Sequence, residues 1–334
     1  MTAPADRVAP AAGGRGSRSP RGGLGTRDAP RRAPRPTGNR WRAVVWGVVG
    51  VLALAALWEL YKLVGPADGW LVGAQEGVTG SGIRLLPRTS DQAMPHTWDM
   101  VARVIEPVTR AQGALPLGVV VLLAALTSLG VAALGWLVGV VVGFALALLM
   151  LGFRIAERAV LPFVILSQTV PLIALAPLIR NWGSRLEFGA FSWESWMSVV
   201  IIASYLAFFP VAVGALRGLQ SPDAAHLDLM RSYAAGWWTT LFRLRLPASV
   251  PFLIPALRLA AANAVVGTVV AEISVGFTGG IGRLILETAV AASSDPAKPW
   301  APILGAVLLG LVAAGFVALL AAFLSPFRRQ ETVA

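Results

Sequence analysis

The chain has no cysteine, which excludes a disulfide framework, a thiolate metal site and a cysteine nucleophile. It is poor in charge as well: 13% of its residues are Asp, Glu, Lys or Arg, against about a quarter in a soluble domain. Lys62 and Lys298 are its only lysines, so arginine carries nearly all of its net charge of +11. His96 follows Pro95 and stands alone, whereas a zinc site needs three or four converging ligands, so it reads as a surface histidine. No His-Glu-x-x-His, no Gly-x-Ser-x-Gly and no pair of carboxylates inside an apolar run is present. The glycines Gly279 and Gly280 lack the Lys-Ser/Thr of a phosphate-binding loop. The chain is therefore expected not to be an enzyme and to hold no metal or cofactor of its own.

What is abundant is apolar surface. At 56% hydrophobic residues the chain reads as an all-α polytopic membrane protein. Residues 1–40 are set apart: rich in Pro, Gly, Ala and Arg, with only Asp6 and Asp28 opposing nine arginines from Arg7 to Arg40. So little of this tail can be buried that it reads as disordered, held near an anionic inner leaflet. It lacks the interleaved aromatics and the recognition fold of a nucleic-acid-binding arm, so no nucleic acid is expected as partner. Its basic region is too long for a signal peptide, and the apolar run that follows is long enough to cross a bilayer.

Six crossings are expected: Trp41–Val64, Val131–Leu151, Val160–Ile179, Ser195–Leu216, Pro251–Ile273 and Trp300–Leu324. Leu117–Phe153 is too long for one crossing, so a separate short helix is expected up to about Leu129. Pro66–Pro116 reads as a polar connection with one short helix, Thr97–Thr109. Another short helix is expected between Gly279-Gly280 and Pro296. Gly135, Gly139 and Gly143 lie four residues apart, a spacing that lets helices approach closely or that arises by chance in a glycine-rich chain. In Val160–Ile179 the run Ser167-Gln168-Thr169 precedes Pro171, which predicts either a Pro-kinked helix with hydroxyl compensation or a polar step lining a pathway. Gln168, Thr169, Asn263 and Glu272 are the candidate pathway residues. With the basic tail inside, Arg154, Arg158, Arg217, Arg231, Arg243, Arg245, Arg328 and Arg329 fall on the inner side. Both termini are then cytoplasmic, with residues 328–334 as a short C-terminal tail.

Between the fourth and fifth crossings lies Ser221–Pro251, the long amphipathic segment of the chain. Ser221 suits a helix cap, Pro222 the first helical position, and Asp223 the positive end of the dipole. Met230, Tyr233, Ala234, Trp237 and Leu241 recur at three- and four-residue steps as one apolar stripe. Gly236 offers a turn that splits the segment into two short helices, and Pro247 and Pro251 are expected to stop the second. On pattern alone this is either a helix lying among lipid headgroups or a surface built to meet a soluble partner.

Leu244-Arg245-Leu246-Pro247 resembles the end of the coupling loop of binding-protein-dependent ABC importer permeases, Glu-Ala-Ala, three residues, Gly, nine residues, Ile-x-Leu-Pro. Counting back puts Ala234 at the Gly place and Asp228-Leu229-Met230 at the Glu-Ala-Ala place. The acid is thus shortened, both alanines are replaced, and the glycine is either displaced to Gly236 or lost. The following PFLIPALRLAAANAVVGTVVAEI resembles the nitrate/sulfonate/taurine branch of these permeases, and the likeness covers about Trp41 to Phe327. LDLMRSYAAGWWTTLFRLRLPAS and GGIGRLILE look closest to permeases for riboflavin or for pyrimidine precursors of thiamine.

The resemblance implies a type I permease fold over residues 41–327, with coupling loop 221–250. It implies an ATP-binding-cassette ATPase that carries the ATP and Mg, an extracytoplasmic solute-binding protein, and a second permease copy or a related permease. In that reading Asp228, Met230, Arg231, Tyr233, Ala234, Gly236, Trp237 and Pro247 form the coupling surface of a multi-pass, lipid-embedded plasma-membrane protein. An ion-gradient-driven transporter is the alternative. Such proteins carry ionisable groups at mid-bilayer and often show internal repeats; here no repeat is visible, and Arg258 and Glu272 sit towards span ends.

Overall fold

The computed structural model describes residues 40–69, 71–72, 83–84, 86–109, 111–189 and 191–323. The tails expected at 1–40 and 328–334 fall outside them, apart from Arg40. The chain divides into two compact units, Met1–Leu52 and Ala53–Ala334, parted within the first helix, α1 (Arg40–Val64). The described part of the first unit is the opening of α1, where Trp41, Trp46 and Leu52 are exposed. All that follows concerns the second unit.

The end of α1 leads through a two-residue ladder, β1 (Leu71–Val72) with β2 (Ile83–Arg84), to α2 (Thr97–Ile105). The helix α2 stops short of the expected Thr109 because Pro107 pushes the preceding Glu106 into an extended conformation (φ −71°, ψ 151°). The connection around α2 is tied down by polar bonds. Lys62 reaches Asp91 Oδ1 at 2.5 Å and the Met94 carbonyl at 2.6 Å, Trp58 donates to the Pro95 carbonyl, and Arg103 Nε donates to Asp295 at 2.6 Å. The hydrogen bond from Lys62 holds the Asp91 carboxyl below the ordinary aspartate range.

One helix, α3 (Leu117–Gly152), replaces the expected short helix plus span. At about 1.5 Å per residue its 36 residues run about 54 Å, well beyond a hydrocarbon layer of about 30 Å. Nothing in it forces a break: it has no proline, and Gly130 sits in open space, where an uninterrupted backbone ladder outweighs a glycine's helix cost of about 1 kcal/mol. After it, the expected span Val160–Ile179 is two helices, α4 (Arg154–Ser167) and α5 (Leu172–Gly183), bent by 103° across Gln168–Pro171. This is a break rather than a kink. Pro171 cannot extend α4 and instead occupies the N-cap of α5. A second two-residue ladder, β3 (Glu187–Phe188) with β4 (Phe191–Ser192), leads into α6 (Ser195–Leu219).

Then come α7 (Ala224–Ser232), α8 (Trp237–Thr240), a π-helical turn at Leu241–Arg245, and α9 (Leu246–Val275). The chain closes with α10 (Ile281–Ala291) and α11 (Trp300–Phe323). Among the described residues five helical stretches are long and apolar enough to cross a membrane, and a sixth only if the bent pair α4–α5 counts as one span. The core is α3, α6 and α9. Gly135, Gly139 and Gly143 of α3 lie against Ala203, Ala207 and Val211 of α6, and a methyl on Gly139 would come within 2.6 Å of the Ala207 Cβ. The four-residue glycine spacing is therefore a packing seam. Ala207, Val211, Ala260 and Ala264 continue it between α6 and α9.

Pro247 and Pro251 do not stop a helix, contrary to expectation; Trp237–Val275 is one continuous stretch. Pro247 lacks an N–H, and its ring crowds the carbonyl four residues back. The widened turn just before it, in which the Leu246 N–H bonds the Leu241 carbonyl, is the adjustment that lets the helix run on.

Candidate functional site

The segment from the end of α6 to the start of α9 is largely exposed. Its first helix begins later than the sequence suggests: Asp223 is the N-cap of α7 and Pro222 lies outside it. Ser221 instead turns back, its hydroxyl donating to the Gly218 carbonyl at 2.7 Å. No residue of α7 is buried. Asp228 and Arg231 pair at 2.8 Å on its surface, both well exposed, so the pair adds little stability, at most about 1 kcal/mol.

The end of α7 resolves the question of the motif glycine. Ala234 is the described non-glycine residue with a left-handed backbone, at φ 51°. The Ala235 N–H bonds the Met230 carbonyl and the Ala234 N–H bonds the Arg231 carbonyl, the paired pattern of a Schellman cap with Ala234 at C′. Glycine is the residue this position favours, since a Cβ there costs about 1–2 kcal/mol. Ala234, the residue that counting back from Pro247 puts at the Gly place, adopts this conformation. Gly236 is not the left-handed residue; at φ −66° and ψ 169° it caps α8.

The expected single apolar stripe does not form, because α7 ends at Ser232 and the chain turns before α8. Leu241 is driven inward, 2% exposed among Met150, Val164, Leu216 and Leu219. Tyr233, Trp237, Trp238 and Phe242 stay outside. Trp238 stands edge-on to Trp237 at 4.5 Å and stacks on Phe242 at 6.0 Å, so the three rings form one patch. Leu229 is exposed beside them in sequence, while Met230 and Pro247 are half-buried. Exposed aromatic rings beside an exposed arginine are residue types enriched in protein-docking patches.

The four pathway candidates are not brought together. Gln168 and Thr169 lie in the α4–α5 break; Thr169 donates to the Leu166 carbonyl, Gln168 contacts the Ser167 hydroxyl at 3.3 Å, and the Tyr205 hydroxyl caps the Ser167 carbonyl. Asn263 Nδ2 donates to the Leu206 carbonyl at 3.1 Å, a tie from α9 to α6. Glu272 lines no opening in this chain. It is fully buried; Oε1 accepts from the Ser128 hydroxyl at 2.6 Å and Oε2 from the Gly282 N–H at 2.7 Å. Ser128 in turn accepts from the Ile281 N–H at 2.8 Å. The pair caps the first turn of α10 from α9 and α3. A methyl on Gly280 or Gly282 would overlap the Glu272 carboxyl or the Val269 carbonyl.

Ser128 and Arg245 are the contributors that sequence reasoning misses: one is a hydroxyl next to Thr127 in an otherwise apolar helix, the other a spacer inside Leu-Arg-Leu-Pro. Among the described residues no three His, Asp or Glu side chains gather as metal ligands. His96 is occupied by Glu59 at 2.8 Å and by the Trp98 ring stacked at 4.1 Å.

Residues 139–330 match the family described as binding-protein-dependent transport system inner membrane component, and the chain belongs to that family. It is an ABC importer permease by family, a transporter component rather than an enzyme. It is 31% identical over 204 residues to the formylaminopyrimidine transport permease protein ThiX of Halalkalibacterium halodurans, covering 61% of this chain and 77% of that protein. It is 28% identical over 189 residues to a putative aliphatic sulfonates transport permease protein, SsuC, of Bacillus subtilis, covering 57% of this chain and 64% of that one. Over 132 residues it is 30% identical to the riboflavin transport system permease protein RibX of Chloroflexus aurantiacus, covering 40% and 46% of the two chains.

Proposed function

We propose that this chain forms the substrate pathway of an importer and is driven by a separate ATP-binding-cassette ATPase that grips the α7–α8 segment. The supporting observation is the exposed patch of Trp237, Trp238 and Phe242, carried on a helical stretch that continues into α9, with Tyr233 exposed at the end of α7 before it. ATP-dependent closure of the ATPase moves this segment as a lever, and α9 tilts with it. Asp228 and Arg231 supply polar contacts at the rim, and Trp237 the apolar centre.

In this reading the α7–α8 end of the bundle and both termini are cytoplasmic, the pathway lies between two permease copies or a copy and a related permease, and a solute-binding protein delivers cargo at the α10 end. ATP and Mg reside on the ATPase. The cargo is a small organic solute, a pyrimidine precursor, riboflavin or an organosulfonate, in line with the names of the relatives. In this reading Gln168, Thr169 and Asn263 are the polar groups that meet it.

The test is co-purification and uptake. Trp237→Glu and Asp228→Arg are expected to insert normally, lose the ATPase on purification and lose ATP-driven uptake in proteoliposomes. Normal uptake by both variants overturns the docking assignment. Uptake that persists when the ATPase is left out points instead to an ion gradient as the driving force.

A further inference from the structure

Two helices bracket the exposed segment, and the structure joins them directly. The end of α6 presents carbonyls that have no helical partner. Gln220 N–H returns to the Leu216 carbonyl and Ser221 N–H to that of Gly218. The Leu219 carbonyl is taken by Arg245, whose Nη1 donates to it at 2.9 Å from the π turn that starts the next helix. A guanidinium at that place also meets the negative end of the α6 dipole. Beside it, the Ser221 hydroxyl lies 3.4 Å from the Ala248 carbonyl. One turn further in, the backbones touch: a methyl on Gly218 would stand 2.8 Å from the Ser249 Cβ, and Ser249 is fully buried.

The π turn explains how one short stretch serves two directions. Its extra residue shifts the register between α8 and α9. Trp237, Trp238 and Phe242 thereby point away from the bundle, while Leu241, Arg245 and Ser249 point into it against α6. A widened turn is also a place where a lever could flex and lose its stroke. The tie from Arg245 to Leu219 anchors the last residue of that turn to the end of α6.

We propose that Arg245 is a positioning residue for energy coupling: with Ser221 and the Gly218–Ser249 contact it clamps the end of α6 to the start of α9, so that both helices move together when the exposed segment is displaced. The assignment rests on the coupling function proposed above. A lysine offers one ammonium where the arginine offers a fork, so it restores the tie in part. Alanine leaves the α6 terminus open and the π turn free.

The experiment uses proteoliposomes holding the permease with its ATPase and binding protein, with riboflavin, formylaminopyrimidine and an alkanesulfonate as probes. Uptake and ATP hydrolysis are measured in the same vesicles. Arg245→Ala is expected to keep hydrolysis within about two-fold of wild type while uptake per ATP falls about ten-fold, with Arg245→Lys in between. An unchanged ratio in Arg245→Ala overturns the clamp but leaves ATPase docking intact; loss of ATPase binding in wild type would instead overturn the coupling function itself. A second measurement needs neither partner nor cargo. Because the chain has no cysteine, spin labels at Arg217→Cys on α6 and Phe252→Cys on α9 report the separation of the two helices in the permease alone. The distance distribution is expected to broaden in Arg245→Ala and to narrow again in Arg245→Lys. Equal widths in all three overturn the proposal even where the alanine variant fails to assemble.

Discussion

The two ends of α9 are opposites. At its C-terminal end Glu272 is sealed from solvent, both carboxyl oxygens engaged, with α10 seated on it through Gly280 and Gly282. At the other end the helix emerges through a π turn into a patch of open aromatic rings and a solvent-exposed ion pair. Hydropathy treats both ends alike, since each joins an apolar span. They differ in what surrounds their polar groups. A carboxyl at an apolar helix junction has to be fully satisfied to stay there, and it then acts as a fixed joint. The rings and charges at the open end are exposed rather than packed against the bundle, and the docking proposed above draws on them.

If that contrast is right, the sealed end answers to stability and the open end to function. The largest effect is expected from Glu272→Ala, which leaves the Ser128 hydroxyl and the Gly282 N–H buried without an acceptor. A loss of about 3 kcal/mol is expected, read as a lowered unfolding midpoint in detergent, with Glu272→Gln recovering much of it. A Glu272→Ala protein as stable as wild type would break the comparison from that side. Gly139→Leu, in the α3–α6 seam, should cost about 1–3 kcal/mol by overpacking against Ala207. At the open end, Trp237→Glu should change stability by no more than about 0.5 kcal/mol and yet abolish ATPase capture, measured by co-purification. A large stability loss there would show that the patch serves the fold. Two small gains sharpen the picture. Ala234→Gly relieves the left-handed strain at the end of α7 and should stabilise by about 1 kcal/mol. Thr268→Val removes a buried hydroxyl that has no partner, one turn from Glu272, and should be neutral or stabilising by about 1 kcal/mol in the same melting assay.

Much of the helical frame was legible from apolar run lengths, because a span must satisfy its backbone internally and is therefore a helix. The α3–α6 seam was legible too, since Gly135, Gly139 and Gly143 repeat at the spacing of one helix face. What escaped depends on partners distant in sequence or on small backbone adjustments. Ser128 and Glu272 are separated by 144 residues, and neither alone marks the other. The prolines act in ways their positions in the sequence do not show: Pro171 breaks a span outright, while Pro247 is absorbed by a π turn that no residue type announces. Leu117–Phe153 was split on length alone, although its residues offered no breaking signal. In the exposed segment the split expected at Gly236 is present, since Gly236 caps α8, while the left-handed backbone falls two residues earlier, on Ala234, which no residue type announces.

The open rings of Tyr233, Trp237, Trp238 and Phe242 also bear on how much of this protein a cell can keep. A copy synthesised ahead of its cover exposes the kind of greasy surface that chaperones and membrane proteases recognise. Its steady-state amount should therefore follow the supply of whatever caps that surface, and overproduction of this chain by itself should end in turnover rather than accumulation.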